Sequence, residues 1–121
     1  MNTRSDAMRL VLKRYREVEH ACGAPPLALR VELGGVSFAY SGDTQWTPAL
    51  AEPADGADLL AVEAYTFDRP IRYHLDYKTL RAHLGEIRAQ RVVLTHMSAA
   101  MLSRLADAEL PAAYDGMIID L

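Results

Sequence analysis

The stretch that most constrains the fold of this chain runs from Leu27 to Tyr40. Leu27, Leu29, Val31 and Leu33 alternate with Ala28, Arg30 and Glu32. That period of two matches a strand with one apolar face and no helix. Gly34-Gly35 supplies the positive φ angles of a tight two-residue turn, and Val36-Ser37-Phe38-Ala39-Tyr40 returns as the partner strand. A hairpin alone is barely stable in water, so the remaining chain has to cover its apolar face.

The rest of the sequence supplies elements of the right kind. Residues 9–18 place Leu10, Leu12 and Val18 among Lys13, Arg14, Arg16 and Glu17, which fits a strand or a short helix, with strand preferred. Gly23-Ala24-Pro25-Pro26 breaks the chain. Thr47-Pro48 reads as an N-cap with proline at the first helical position, opening a short helix to Ala54 that Gly56 ends. Residues 57–64 form a buried strand that carries Glu63 near its end. Asp76 caps a helix over residues 77–89, whose Leu80, Leu84 and Ile87 share one face. Residues 91–94 follow as a strand, and Ser98 caps a helix with Met101, Leu102 and Leu105 as its apolar side. Gly116-Met117-Ile118-Ile119 reads as a last strand. Strands alternating with helices define an α/β chain.

Length and charge limit what this chain does. The 121 residues suffice for one domain, residues 1–121, and hold no repeat or low-complexity linker. A net charge of −3 gives no extended basic surface for a nucleic-acid backbone. Cys22 is the only cysteine, which excludes an intrachain disulfide and fits a reducing cytoplasm. No run approaches the roughly 20 apolar residues of a membrane span, and the first residues lack the apolar segment of a signal peptide. A cytoplasmic protein is expected.

The polar residues at the strand ends carry the chemistry. Asp43 follows Gly42 directly after a strand, where a small neighbour lets a carboxylate turn into a cleft. Alone, Ser41-Gly42-Asp43-Thr44 would read as an ordinary aspartate turn. His96 ends the strand Val92-Val93-Leu94 and suits a neutral imidazole ligand, although a single such histidine is more often structural. Glu63 and His74 add a carboxylate and an imidazole, a pairing able to make a proton donor. His20 lies just before the Gly-Pro-Pro break, and His83, between Arg81 and Glu86, falls on a solvated helix face. Trp46 reads as a packing residue capping the loop beside these groups, with substrate stacking as the weaker alternative.

From about residue 17 to 121 these pieces resemble the C-terminal half of a metallo-β-lactamase-fold hydrolase, in its ribonuclease Z-like branch. The matching segments are Val18-Glu19-His20, Tyr40-Ser41-Gly42-Asp43-Thr44, Asp58-Leu59-Leu60-Ala61-Val62-Glu63-Ala64, the isolated His74, and Leu94-Thr95-His96-Met97-Ser98. Residues 1–16 match poorly. The resemblance implies half of an αββα sandwich, a mixed sheet with helices on one face. It also implies His20 and His96 as ligands of two metal ions, Asp43 as the carboxylate bridging them, and His74, oriented by Glu63, as proton donor to the leaving group. Zinc is the expected metal, with manganese or iron possible.

Two departures qualify this picture. The family's His-x-His-x-Asp-His cluster has no counterpart, since no two histidines here are separated by one residue. Two ions bound as in an intact enzyme are therefore not expected from this chain alone. A homo-oligomer or a complementary N-terminal half is expected to cover the apolar surface that the missing half would cover. The long arm that grips transfer RNA is also absent at Gly34-Gly35, so a small phosphodiester or other ester is expected in its place. Two functions follow as expectations: a metal-dependent hydrolase completed by another polypeptide segment, or a non-catalytic binding or assembly module that keeps the fold.

Overall fold

The computed structural model describes residues 11–18 and 27–121. Five strands make one sheet in the order β1-β2-β3-β4-β5: β1 is Val11–Glu17, β2 Leu27–Leu33, β3 Val36–Tyr40, β4 Leu59–Glu63 and β5 Val92–Thr95. The hairpin forms as the alternation requires, with Leu33 opposite Val36 and Leu29 opposite Tyr40. Gly34 and Gly35 take φ angles of 57° and 81°, which a residue with a Cβ adopts only under strain. Residues 11–17 pair antiparallel with β2, their register shifting between Leu12 and Arg14.

Beyond the hairpin the sheet turns parallel, because each further strand is reached through a helical crossover. The β3–β4 connection holds a 3₁₀ turn, Pro48–Leu50, running into α1, Ala51–Ala54. The Thr47 side chain accepts a hydrogen bond from the Ala49 amide, as an N-cap should. The β4–β5 connection holds α2, Tyr77–Ala82, whose Asp76 cap accepts from the amide and hydroxyl of Thr79. β3 pairs parallel with β4, and β4 with β5. Both helices pack on the same face of the sheet, where Ala54 of α1 and Leu80 of α2 share one core with Leu60, Val62 and Leu94. Arg30 then ties β2 to the end of α1 by donating to the carbonyls of Pro53 and Asp55.

The core lies between that sheet face and the helices. Ala28, Ala39, Leu60, Val62 and Leu94 meet Leu50, Ala54, Leu75, Tyr77, Leu80 and Met101. The opposite face carries Leu29, Val31, Phe38, Leu59, Ala61 and Val93, aligned by the pairing of Val31 with Phe38, Phe38 with Leu59 and Ala61 with Val93. Leu29, Val31 and Phe38 are only half-buried on that face, and Leu33 and Tyr40 are exposed.

Three expectations need correction. The helix expected over residues 77–89 stops at Ala82 and continues as a 3₁₀ turn, Leu84–Glu86, although Leu80 and Ile87 are buried as the pattern requires. Leu102 is exposed: α3, Ala99–Leu102, spans a single turn and buries only Met101. Residues 116–119 form no strand. The edge of β5 is met instead by residues 111–113, where the Leu94 amide donates to the Pro111 carbonyl and the Ala113 amide to the Leu94 carbonyl. With that edge occupied, Ile118 finds no ladder partner and stays exposed.

Leu94 links strand, core and this edge segment, and it has no exposed surface. Leu94→Ala is expected to lower stability by about 2–5 kcal/mol, read as a fall in the urea midpoint.

Candidate functional site

The strand ends determine which polar groups meet. β3, β4 and β5 finish at the same edge, because β4 pairs parallel with both neighbours. Asp43, Glu63 and His96 are thereby delivered side by side, and the 66–76 segment returns His74 to the same place. Sheet alternation puts Glu63 on the face away from the helices, opposite Thr95.

Glu63 is the centre of the site and has no exposed surface. Its Oε2 accepts the Thr44 amide at 2.7 Å. Its Oε1 accepts Nδ1 of His96 at 2.9 Å and is also hydrogen-bonded to Nδ1 of His74. Asp43 Oδ1 lies 3.1 Å from the same His96 nitrogen. A carboxylate can only accept, so both imidazoles carry their proton on Nδ1 and leave Nε2 with the lone pair when neutral. One buried carboxylate thus sets the tautomer of two histidines.

The backbone around these groups is fixed in uncommon conformations. Gly42 has φ of 62°, and a Cβ there would meet the Leu27 carbonyl oxygen at 3.1 Å. That conformation explains the glycine before Asp43. His96 at φ 50° and Tyr73 at φ 67° also take the left-handed region, which costs an L-residue about 1–3 kcal/mol. Such outliers survive only where surrounding contacts hold them. Tyr73 donates its amide to Gln45 Oε1, and the His74 amide donates to the Ile71 carbonyl. Ser41, fully buried, joins the ends of β3 and β4: its amide donates to the Ala61 carbonyl and its Oγ accepts the Glu63 amide at 3.0 Å.

Aromatic contacts complete the wall. Tyr65 stacks on His74 with ring centroids 4.4 Å apart and lies tilted against His96 at 5.3 Å. The Tyr40 phenol is pushed above its ordinary value, first by partial burial and then by the negative charges of Asp43 and Glu63.

Four of the five residues expected at the site come together: Asp43, Glu63, His74 and His96. His20 lies outside the described residues. His83 does not sit on a solvated face. It is half-buried at the end of α2, stacked on Trp46 at a centroid distance of 4.0 Å and hydrogen-bonded to Glu86. Trp46 is accordingly a packing residue, half-buried against the core. Ser41, Thr44 and Tyr65 were not singled out from sequence. The hydroxyl residues flanking Gly42-Asp43 were the available signal for the first two, and Tyr65 gave none.

The donor set suits a metal ion. One ligand atom each from Glu63, His74 and His96 lies within 4.8 Å of the others. Asp43 Oδ1, 3.1 Å from His96 Nδ1, adds a carboxylate beside this group.

Comparison with known proteins accords with this arrangement. Residues 7–97 match the family model of the β-lactamase superfamily domain, and the chain belongs to that superfamily. No curated protein sequence matches it significantly. Among solved structures it is similar to the metallo-β-lactamase-fold protein YhfI from Bacillus subtilis, with a TM-score of 0.74 and 16% identity over 92% of this chain and 50% of that one. Zn²⁺-bound PqqB from Methylobacterium extorquens gives a TM-score of 0.69 and 19% identity over 93% of this chain and 47% of that one. The short form of human tRNase Z gives 0.70 and 24% identity over 95% and 44%. The fold is therefore of the metallo-β-lactamase type, and the chain spans about half the length of these structures.

Replacing Glu63 by Gln puts an amide N–H₂ among three donors, and is expected to destabilise the fold by about 1–3 kcal/mol in urea denaturation. His96→Asn should cost less than Glu63→Gln, because asparagine tolerates the left-handed backbone at this position.

Proposed function

We propose that this chain carries the C-terminal part of a metal-dependent hydrolase acting on a phosphodiester or other ester. The observation that carries the reading is the convergence of both imidazoles on one buried carboxylate, with Asp43 beside His96, at the common end of three strands. Asp43 and His96 are the residues that would hold an ion, zinc by preference and manganese or iron as alternatives, with His20 as a further ligand. A bound ion would supply charge stabilisation and a water acidic enough to attack at neutral pH.

The chain's own residues do the rest. Glu63 holds His74 through Nδ1 and stabilises the ring when it is protonated. His74 can then give a proton from Nε2 to the departing oxygen and recover it from solvent. Tyr65 stacks on the His74 ring and limits its rotation. Thr44 and Ser41 keep the Glu63 carboxylate in place.

A complement to the exposed sheet face is part of the proposal. The half-buried and exposed apolar residues Leu29, Val31, Leu33, Phe38 and Tyr40 mark the face where a second copy, or a polypeptide bearing a His-x-His-x-Asp-His motif, would pack. Transfer RNA is not the proposed substrate, given the two-residue turn at Gly34-Gly35 and the net charge of −3. A cytoplasmic setting is proposed from the single cysteine; among the described residues no helix is long and apolar enough to cross a membrane. The second reading is a non-catalytic binding or assembly module that keeps the fold.

Zinc titration separates the two. The hydrolase reading expects stoichiometric zinc binding that Asp43→Ala and His96→Asn each abolish. Glu63→Gln, acting through the imidazoles, should weaken binding about 10–100-fold. Equal zinc binding by all four proteins would leave only the binding-module reading.

A further inference from the structure

A cavity of about 290 Å³ opens directly against His74, its lining including Gln45, Trp46, Ile71, Arg72, Thr79 and Asp76, whose carboxylate already accepts from the amide and hydroxyl of Thr79. Its composition is unlike the rest of the site. Trp46 offers an aromatic wall whose position is fixed, because the indole stacks on His83 and packs against the core. Ile71 adds an apolar floor. Arg72 adds the only cationic side chain of the lining, its guanidinium lying over the Tyr73 ring at 4.7 Å. Arg72 is exposed and has no ion-pair partner among the described residues. A second cavity of about 270 Å³, beside Tyr65 and Phe67, is lined by Arg69 and Arg104, the latter engaged by Asp68 and Asp107, but it does not touch His74.

We infer that the cavity against His74 is a binding site for a planar aromatic group bearing an anionic substituent, a nucleotide being the common form of that chemistry. This rests on the reading of His74 as proton donor, since whatever leaves must sit beside the nitrogen that protonates it. In that step water oxygen bonds to the phosphorus or acyl centre as the ester bond breaks. The departing oxygen takes its proton from His74, and the proton lost by water passes to solvent. An aromatic ring gains contact with Trp46 and Ile71, and the anion gains a charge-assisted hydrogen bond from Arg72. The volume is just below the roughly 300–1,000 Å³ usual for small-molecule sites and is enough for one ring system.

Trp46 is the only tryptophan in the chain, so its emission reports on this cavity without interference from another indole. Adenosine monophosphate titrated into the full chain, with excitation at the red edge of indole absorption, should change that emission saturably. Arg72→Ala should weaken the binding by about tenfold or more, consistent with loss of one contact to a charged group. Adenosine should bind more weakly than the monophosphate, and inorganic phosphate alone should leave the emission unchanged. An unchanged emission with adenosine monophosphate, an unchanged affinity in Arg72→Ala, or an equal response to inorganic phosphate would each overturn the inference. The parallel zinc titration keeps the two readings apart. Zinc binding without a Trp46 response removes the pocket alone, whereas a Trp46 response without zinc binding removes the hydrolase reading and leaves the pocket standing.

Discussion

The site depends on a buried carboxylate. Glu63 has no contact with solvent, and desolvating a charge is costly unless hydrogen bonds replace the lost water. The Thr44 amide and two imidazoles supply those bonds. Each partner is held in turn: Thr44 by the turn after β3, His74 by the backbone of the 66–76 segment, and His96 by its place at the end of β5. The network can form only if β3, β4 and β5 end at one level, and the parallel pairing of β4 with both neighbours brings that about. The sheet's topology and the site's chemistry are therefore one constraint.

This coupling explains why strain collects where it does. Gly42, Tyr73 and His96 all take positive φ angles within or beside the network. The chain accepts a locally unfavourable backbone because the contacts made by Asp43, His74 and His96 over-determine it. The opposite face of the sheet differs, carrying the half-buried Leu29, Val31 and Phe38.

Much of this was legible in the sequence where local chemistry decides. The Leu27–Leu33 alternation and the paired glycines specify a hairpin with its register, and Thr47, Asp76 and Ser98 mark helix starts through the amides their side chains cap. Asp43, Glu63, His74 and His96 stood out because each follows or ends an apolar run. The misreadings arose where tertiary context overrides pattern. Residues 116–119 have strand character, but residues 111–113 had already taken the β5 edge. His83 looks solvated by its charged neighbours, yet the indole of Trp46, 37 positions away in sequence (83 − 46), covers it. Leu102 fits an apolar stripe only in a helix longer than the single turn that forms. Ser41 and Thr44 are ordinary turn residues until the register shows that they brace Glu63.

The central claim is that Glu63 fixes both imidazoles through Nδ1. Long-range ¹H–¹⁵N correlation spectra of the histidine rings, recorded on the metal-free chain, read this directly. The account predicts that His74 and His96 both hold their proton on Nδ1, and that both lose this fixed tautomer in Glu63→Gln. Protons on Nε2 in the parent chain, or spectra unchanged by the substitution, would contradict it.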